Sequence, residues 1–367
     1  MTTHFDFTEQ REQSAIKTEI VTKYFDAWST ILSKRFPKIG YIDLYAGPGI
    51  YDDESISTPI IILQKIINSP SLRSKVVVCL NDKDATNYER LQKNVANLDN
   101  ISLLTHHPRI TNEEITYDTP KKFNYPKIPC FCFIDPAGYN GLSLELLKVF
   151  GQDYGSDIIF FFNYNDINRA ISNSRVSINM KQLFGDKHYQ TLIKKISKES
   201  GLNREVIIVN EMSEAIHDIG ISYVLPFRFK TEGKNRTSHY IIFASKNIVG
   251  FNIMKDIMYK IGEKDFNGIG QFEFIPSCDK QAETQLSIID LFATPFQEFK
   301  ENLCKQYCGK TISMKYLYNQ DSPNTRFVSS QYKKALMELE QEGRISCDKP
   351  YTQRRKNTLS DNTIIKF

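Results

Sequence analysis

The chain has no run of about 18 apolar residues, so a membrane-spanning helix is not expected. It opens Met1-Thr-Thr-His-Phe-Asp6, with neither the basic region nor the apolar core of a secretory leader, and a cytoplasmic location is the expectation. Its seven cysteines include no Cys-x-x-Cys pair, so zinc-site spacing is missing and no metal is expected. Cys79, Cys130 and Cys132 lie in apolar runs, where a thiol packs as a small hydrophobe, and Cys304 and Cys308 read as packing on one helix face. No Ser-His-Asp order or metal-ligand cluster stands out. Both the G-x-G-x-x-G dinucleotide fingerprint and the G-x-x-x-x-G-K-[ST] phosphate loop are missing. Net charge is also scarce, at +4, but it is unevenly placed. Residues 301–367 hold 12 Lys or Arg against 7 Asp or Glu, so this end is the part suited to a polyanion.

What is present is organised around Tyr41-Ile-Asp-Leu-Tyr-Ala-Gly-Pro-Gly49. A strand-like run ends in Asp43, a two-glycine turn follows, and Thr58-Pro59 restarts a helix with proline in its first turn. Such a turn offers backbone N–H groups and a surface free of side chains to a cofactor, or it is simply a tight connection. Before it, Ile16, Ile20, Tyr24, Trp28, Ile31 and Leu32 recur at helical spacing, with Lys17, Glu19, Lys23 and Asp26 on the other faces. Further strands are expected at Val76–Leu80, Ile101–Leu104, Cys130–Asp135 and Asp157–Asn163, separated by helices. Residues 166–220 read as a helical insertion. Ile221–Lys230 and Ser238–Ala244 read as a hairpin, residues 264–285 as a linker.

The expected fold is α/β: a Rossmann-like, doubly wound sheet of seven strands whose last two form a hairpin. This is the sheet of many S-adenosylmethionine-dependent methyltransferases, a fold-level analogy. After the linker, helices at Phe296–Tyr307, Ile312–Asn319 and Phe327–Glu342 precede two short strands joined by Thr352-Gln-Arg-Arg-Lys-Asn357, the plan of a winged helix-turn-helix domain. The expected divisions are 1–36 for the first helix, 37–285 for the Rossmann-like domain and 286–367 for the winged helix.

Six pieces in order resemble the three-Cys-motif partner (TcmP) family. They are Tyr41–Gly49, Asn81-Asp-Lys-Asp84, Phe133-Ile-Asp-Pro-Ala-Gly138, Asn163 with Asp166-Ile-Asn-Arg169, Phe184-Gly-Asp186 and Tyr240-Ile-Ile-Phe-Ala-Ser-Lys246. The resemblance implies a methyltransferase-like Rossmann domain, a GMT-type winged helix and a partner protein resembling a radical enzyme. It leaves the reaction undefined.

Under a methyltransferase reading, Ala46, Gly47 and Gly49 would cradle the methionine part of S-adenosylmethionine and Asp43 would meet its amino group. Asp82 would take the two ribose hydroxyls, since a carboxylate offers paired acceptors, or it caps the next helix. Asp135, stiffened by Pro136, and Asn163 are the candidates for chemistry on the acceptor. The run Asp135-Pro-Ala-Gly-Tyr139 departs from the D-P-P-Y of base amino-methyltransferases, which argues against base N-methylation. Arg326, Lys333 and Lys334 near the third helix, and Arg354, Arg355 and Lys356 in the wing, are candidates for nucleic-acid phosphates, with DNA the expected partner. The competing expectation is a catalytically inactive binding module that recruits or regulates the radical-enzyme partner.

Overall fold

The computed structural model describes residues 4–116, 118–119, 127–197, 199–231, 236–264, 271–274 and 295–367, with side chains from Glu12 onward. Two compact units emerge: Met1–Ile257 with Glu273–Glu283, and Met258–Phe272 with Thr284–Phe367. Cys278 lies outside the described residues.

The first unit begins with α1 (His4–Leu32), β1 (Ile39–Asp43), α2 (Thr58–Asn68), α3 (Pro70–Arg73), β2 (Val76–Asn81), α4 (Ala85–Ala96), β3 (Arg109–Thr111), β4 (Cys130–Ile134) and α5 (Leu144–Gly151). It continues through β5 (Asp157–Phe162), α6 (Tyr164–Ala170), α7 (Ser177–Ile196), α8 (Gly201–Asp218), β6 (Tyr223–Thr231), β7 (Arg236–Ser245), α9 (Ile248–Ile261) and β8 (Glu273–Phe274). The sheet runs β3-β2-β1-β4-β5-β7-β6-β8. Strands β1 to β5 are parallel, and β7 is antiparallel to both β5 and β6. Strand order therefore reverses between β1 and β4, and the carboxyl ends of β1, β2, β4 and β5 meet at that switch, where α/β sheets bind ligands.

Burial on both faces explains the apolar strands. All of β1 is buried. Tyr24 of α1 packs on Phe131 and Phe243 with ring centroids 5.2 and 4.8 Å apart, while Phe162 meets Phe184 of α7 at 6.3 Å. The 166–220 region is helical as expected, in α6, α7 and α8. Helix α7 kinks at Gly185, whose φ of +75° no interior helical residue adopts. His188 of α7 lies between Glu211 and Asp218 at 2.7 and 2.9 Å, tying α7 to α8 and its end.

Two local expectations are corrected here. Ile101–Leu103 is a 3₁₀ turn entered through left-handed Asn100, and the third strand is the polar Arg109–Thr111, an edge strand held by the Thr111 hydroxyl on Asn81 at 2.8 Å. The expected linker contains β8, which pairs with β6 because Glu273 is the buried counter-ion of Lys230 at 2.9 Å and Arg228 at 3.4 Å. Glu205 completes this charge-balanced cluster, at 3.2 Å from Arg228.

The second unit holds α10 (Phe296–Tyr307), β9 (Thr311–Ser313), α11 (Met314–Asp321), α12 (Ser329–Gln341), β10 (Ser346–Cys347) and β11 (Ile364–Lys366). Phe299, Leu303, Leu317, Tyr332, Leu336, Leu339 and Ile365 form its core. The second helix starts later than its apolar pattern begins, since Ser313 caps it by accepting the Tyr316 N–H. The residues before that cap form β9, the third strand of a β10-β11-β9 sheet.

The chain thus combines an α/β, methyltransferase-type Rossmann sheet extended by β8 with a winged helix-turn-helix. No helix among the described residues is long and apolar enough to cross a membrane.

Candidate functional site

Strand β1 delivers Asp43 to the switch point. Its carboxylate is buried and accepts the Tyr45 N–H at 3.1 Å and the Tyr41 hydroxyl at 3.2 Å. Burial pushes this carboxyl up to about 7 and the charges of Asp135 and Asp82 add to the rise, while the two donors pull the other way. The chain then turns through Gly47 and Gly49 at φ +65° and +86°, the left-handed region that disfavours a side chain.

The two glycines have different surroundings. A Cβ on Gly49 would lie 3.2 Å from Asn94 and 3.3 Å from Leu91, so this residue packs on α4. A Cβ on Gly47 would lie 3.1 Å from the Tyr51 hydroxyl. The turn is held from β2: Ala46 N–H donates to the Asn81 carbonyl at 2.8 Å and Gly47 N–H to Asp82 Oδ2 at 2.9 Å. Asp82 Oδ1 accepts the Asp84 N–H at 2.9 Å. It is Asp84, not Asp82, that caps α4, by accepting the Asn87 N–H at 2.9 Å. Asn81 binds the carbonyls of Leu44 and Glu113 at 3.1 and 2.9 Å, locking three strand ends together.

Asp135 follows β4 and meets Lys17 of α1, which helical spacing assigns to a polar face. Lys17 Nζ lies 2.8 Å from Asp135 Oδ2 and 4.8 Å from the centroid of the Phe161 ring. Burial pushes Tyr51 up to about 12, and the charges of Asp43, Asp135, Asp82 and Asp53 add to the rise. Asn163 caps α6 by accepting the Asp166 N–H at 3.2 Å and donates to Asp166 Oδ2 at 2.7 Å; Arg169 pairs with the same carboxylate. A Cβ on Gly138, in the turn after Pro136, would lie 3.8 Å from Asp166, which brings the β4 and β5 turns side by side.

His239 of β7 is a further residue that no sequence pattern marked. Its ring stacks on Phe229 and tilts on Phe161, both at 4.5 Å. The Ser238 hydroxyl donates to the Phe229 carbonyl at 3.1 Å, so in its 2.9 Å contact with His239 Nδ1 it acts as acceptor. That assigns the ring proton to Nδ1 and a lone pair to Nε2, which is buried without a partner among the described residues. Burial, with the Lys17 charge nearby, holds the imidazole well below its usual pKa and therefore neutral at pH 7.

In the winged helix the expected cations divide into two groups. Lys333 pairs with Asp361 at 2.6 Å, Lys334 lies 5.2 Å over the Phe296 ring, and Arg326 lies 6.0 Å over Phe327. Arg354 is buried in an ion pair with Glu340. Arg355 and Lys356 are exposed. No group of residues suited to a metal ion occurs among the described residues.

Residues 273–352 match the family model of the GMT-like wHTH domain. No curated protein matches the chain. Among solved structures, similarity extends to a Legionella pneumophila protein of family model DUF519, at 10% identity, covering 68% of this chain and 88% of that one with a TM-score of 0.41. A human methyltransferase 10 domain containing protein matches at 13% identity over 62% of this chain and 83% of its own, TM-score 0.30. The Methanococcus jannaschii fibrillarin pre-rRNA processing protein matches at 10% identity over 57% and 66%, TM-score 0.32.

Proposed function

We propose that the Rossmann-like unit binds S-adenosylmethionine and transfers its methyl group to a nucleic-acid acceptor held by the winged helix. One observation carries this reading: at the strand-order switch, a side-chain-free turn at Gly47 is pinned by Asp82, with Asp43 buried beneath it. The donor set suits the cofactor. Asp82 retains acceptor capacity for a diol and Asp43 supplies an acceptor for an ammonium group, while the Tyr51 hydroxyl, which lies against Gly47, would have to move aside for the cofactor to reach that backbone. S-adenosylmethionine bound there would supply a methyl group on a sulfonium centre.

The chain's own residues would do the rest. Asp135 would orient an acceptor N–H or O–H, and Pro136 would fix the backbone behind it. For that, the ammonium of Lys17 has to yield its place on Asp135. Asn163 keeps the β5 turn in register through Asp166 and would border the acceptor. Calorimetric titration with S-adenosylmethionine and S-adenosylhomocysteine tests the reading. Binding weakened by Asp82→Ala supports it, and zero heat together with an unshifted melting temperature rejects it.

A second reading is a binding module without catalysis. It is favoured by the Lys17–Asp135 pair, which fills the acceptor end, and by Ala137 where base amino-methyltransferases carry proline. In that case the chain would act as the TcmP partner of a radical enzyme, a role that rests on the six-piece resemblance. Co-expression with such a protein, followed by size-exclusion chromatography, decides whether the two co-elute.

A further inference from the structure

We propose that the winged helix grips duplex DNA through its wing, by phosphate contacts that do not read sequence, and that α12 takes no part in base recognition. The proposal rests on the nucleic-acid reading above and names its contact surface. In helix-turn-helix proteins the third helix reads base edges. Here that helix, α12, carries Lys333 and Lys334 against Glu338 and Glu340, so its charges cancel. Of its lysines, Lys333 is paired with Asp361, and exposed Lys334 lies over Phe296. Glu338 and the adjoining Glu342 are half-exposed and would face phosphates with negative charge, softened by Lys300 at 3.1 and 2.6 Å and by Arg344, 3.6 Å from Glu342.

The wing has the opposite character. Lys349, Arg355 and Lys356 are exposed and make no ion pair among the described residues, and Tyr351 between them is 56% exposed. The loop is held in place rather than loose. Glu340 Oε1 accepts the Tyr351 N–H at 3.1 Å while Oε2 binds Arg354, in a pair whose side chains are 8% and 6% exposed. Asp348 Oδ1 accepts the N–H groups of Lys349 and Ile364 at 3.0 and 3.1 Å, and Leu359 is buried in the core. Arg354 is therefore an anchor, and its neighbours are the contacts. A rigid loop with three outward cations loses little entropy on docking. The narrow minor groove of B-form DNA concentrates negative potential and attracts such cations. The wide, shallow minor groove of duplex RNA does so less.

Fluorescence anisotropy of the full chain with a short labelled DNA duplex, titrated with salt, tests this. For three phosphate contacts, log K should fall against log salt with a slope of about −2.7, and Arg355→Ala/Lys356→Ala should bring it to about −1. Lys333→Ala and Lys334→Ala should leave it unchanged. Unlabelled DNA of unrelated sequence should compete equally, and duplex RNA more weakly. Absence of binding by the wild type at about 50 mM salt would remove the nucleic-acid reading and this proposal with it. Binding whose slope survives the double substitution, a preference of more than about tenfold for one sequence, or stronger competition by RNA would overturn the wing assignment alone. Lys349→Glu, on the exposed surface, gives a second variant that should fold normally and weaken binding.

Discussion

The carboxyl of Asp43 holds a proton in the folded chain up to about pH 7, because burial disfavours its charge. The unfolded chain releases that proton near pH ~4. The folded pKa is the higher one, so this group's contribution to stability is full below about pH 4 and is lost as pH rises through 7. Asp43→Asn cannot ionise and should gain on the wild type by about 2–4 kcal/mol between pH 4 and pH 8. Urea melts of both proteins at the two pH values measure the difference, and equal pH slopes would contradict the burial argument. Asp157, pushed up to about 6 by burial, acts in the same direction, and neutral His239 in the opposite one; both cancel in the comparison. Arg354 makes a second case. Removing one partner of a buried ion pair leaves the other charge uncompensated, so Arg354→Ala should cost about 3–5 kcal/mol. Exposed Arg355→Ala should cost less than about 0.5 kcal/mol, as surface substitutions do. Thermal melts of the two variants separate anchor from contact.

Elements differ in how far local sequence specifies them. Strand β1 and its turn were legible because an apolar run ends in an acid and two glycines, a pattern that burial and positive φ both require. Replacing Gly49 by alanine should cost about 1–2 kcal/mol in backbone strain. Contact with Asn94 at 3.2 Å adds to that, and chemical denaturation checks the sum. Strands β8 and β9 were not legible. They are two and three residues long, and β8 is fixed by cations 43 and 45 residues away. The same holds for Lys17. Helical periodicity assigns it to a polar face, and only the folded chain brings it to Asp135, 118 residues distant. The acids at the strand ends could be found from sequence; the cation that occupies one of them could not. His239 escaped notice for a related reason: it sits beside Thr237 and Ser238 at the polar start of β7, and its unpartnered nitrogen is a product of tertiary packing.

At the scale of the whole molecule, the boundary between the two units has an energetic test. Glu273 neutralises Arg228 and Lys230, which are both buried. A chain ending at residue 285 retains Glu273, and it should keep cofactor binding while losing DNA binding. A chain ending at residue 272 strands buried Lys230, leaving Arg228 to Glu205 alone, and should be less stable by about 3–5 kcal/mol. Circular dichroism melts of the two truncations compare them directly, and equal midpoints would contradict the role given to β8. The charge of the molecule follows the same division. The excess of basic residues lies in the last 67 residues, while the strand-end acids gather in the Rossmann-like unit.

The measurement that bears most directly on the central claim is isothermal titration of the full chain with S-adenosylmethionine at pH 8, where Asp43 is ionised, alongside Asp82→Ala. Saturable binding by the wild type, at least tenfold weaker in the variant, is the predicted result; tenfold corresponds to about 1.4 kcal/mol, the scale of one hydrogen bond to a charged group. No binding by the wild type, or binding that Asp82→Ala leaves unchanged, would contradict the assignment of the Gly47–Asp82 turn to the cofactor.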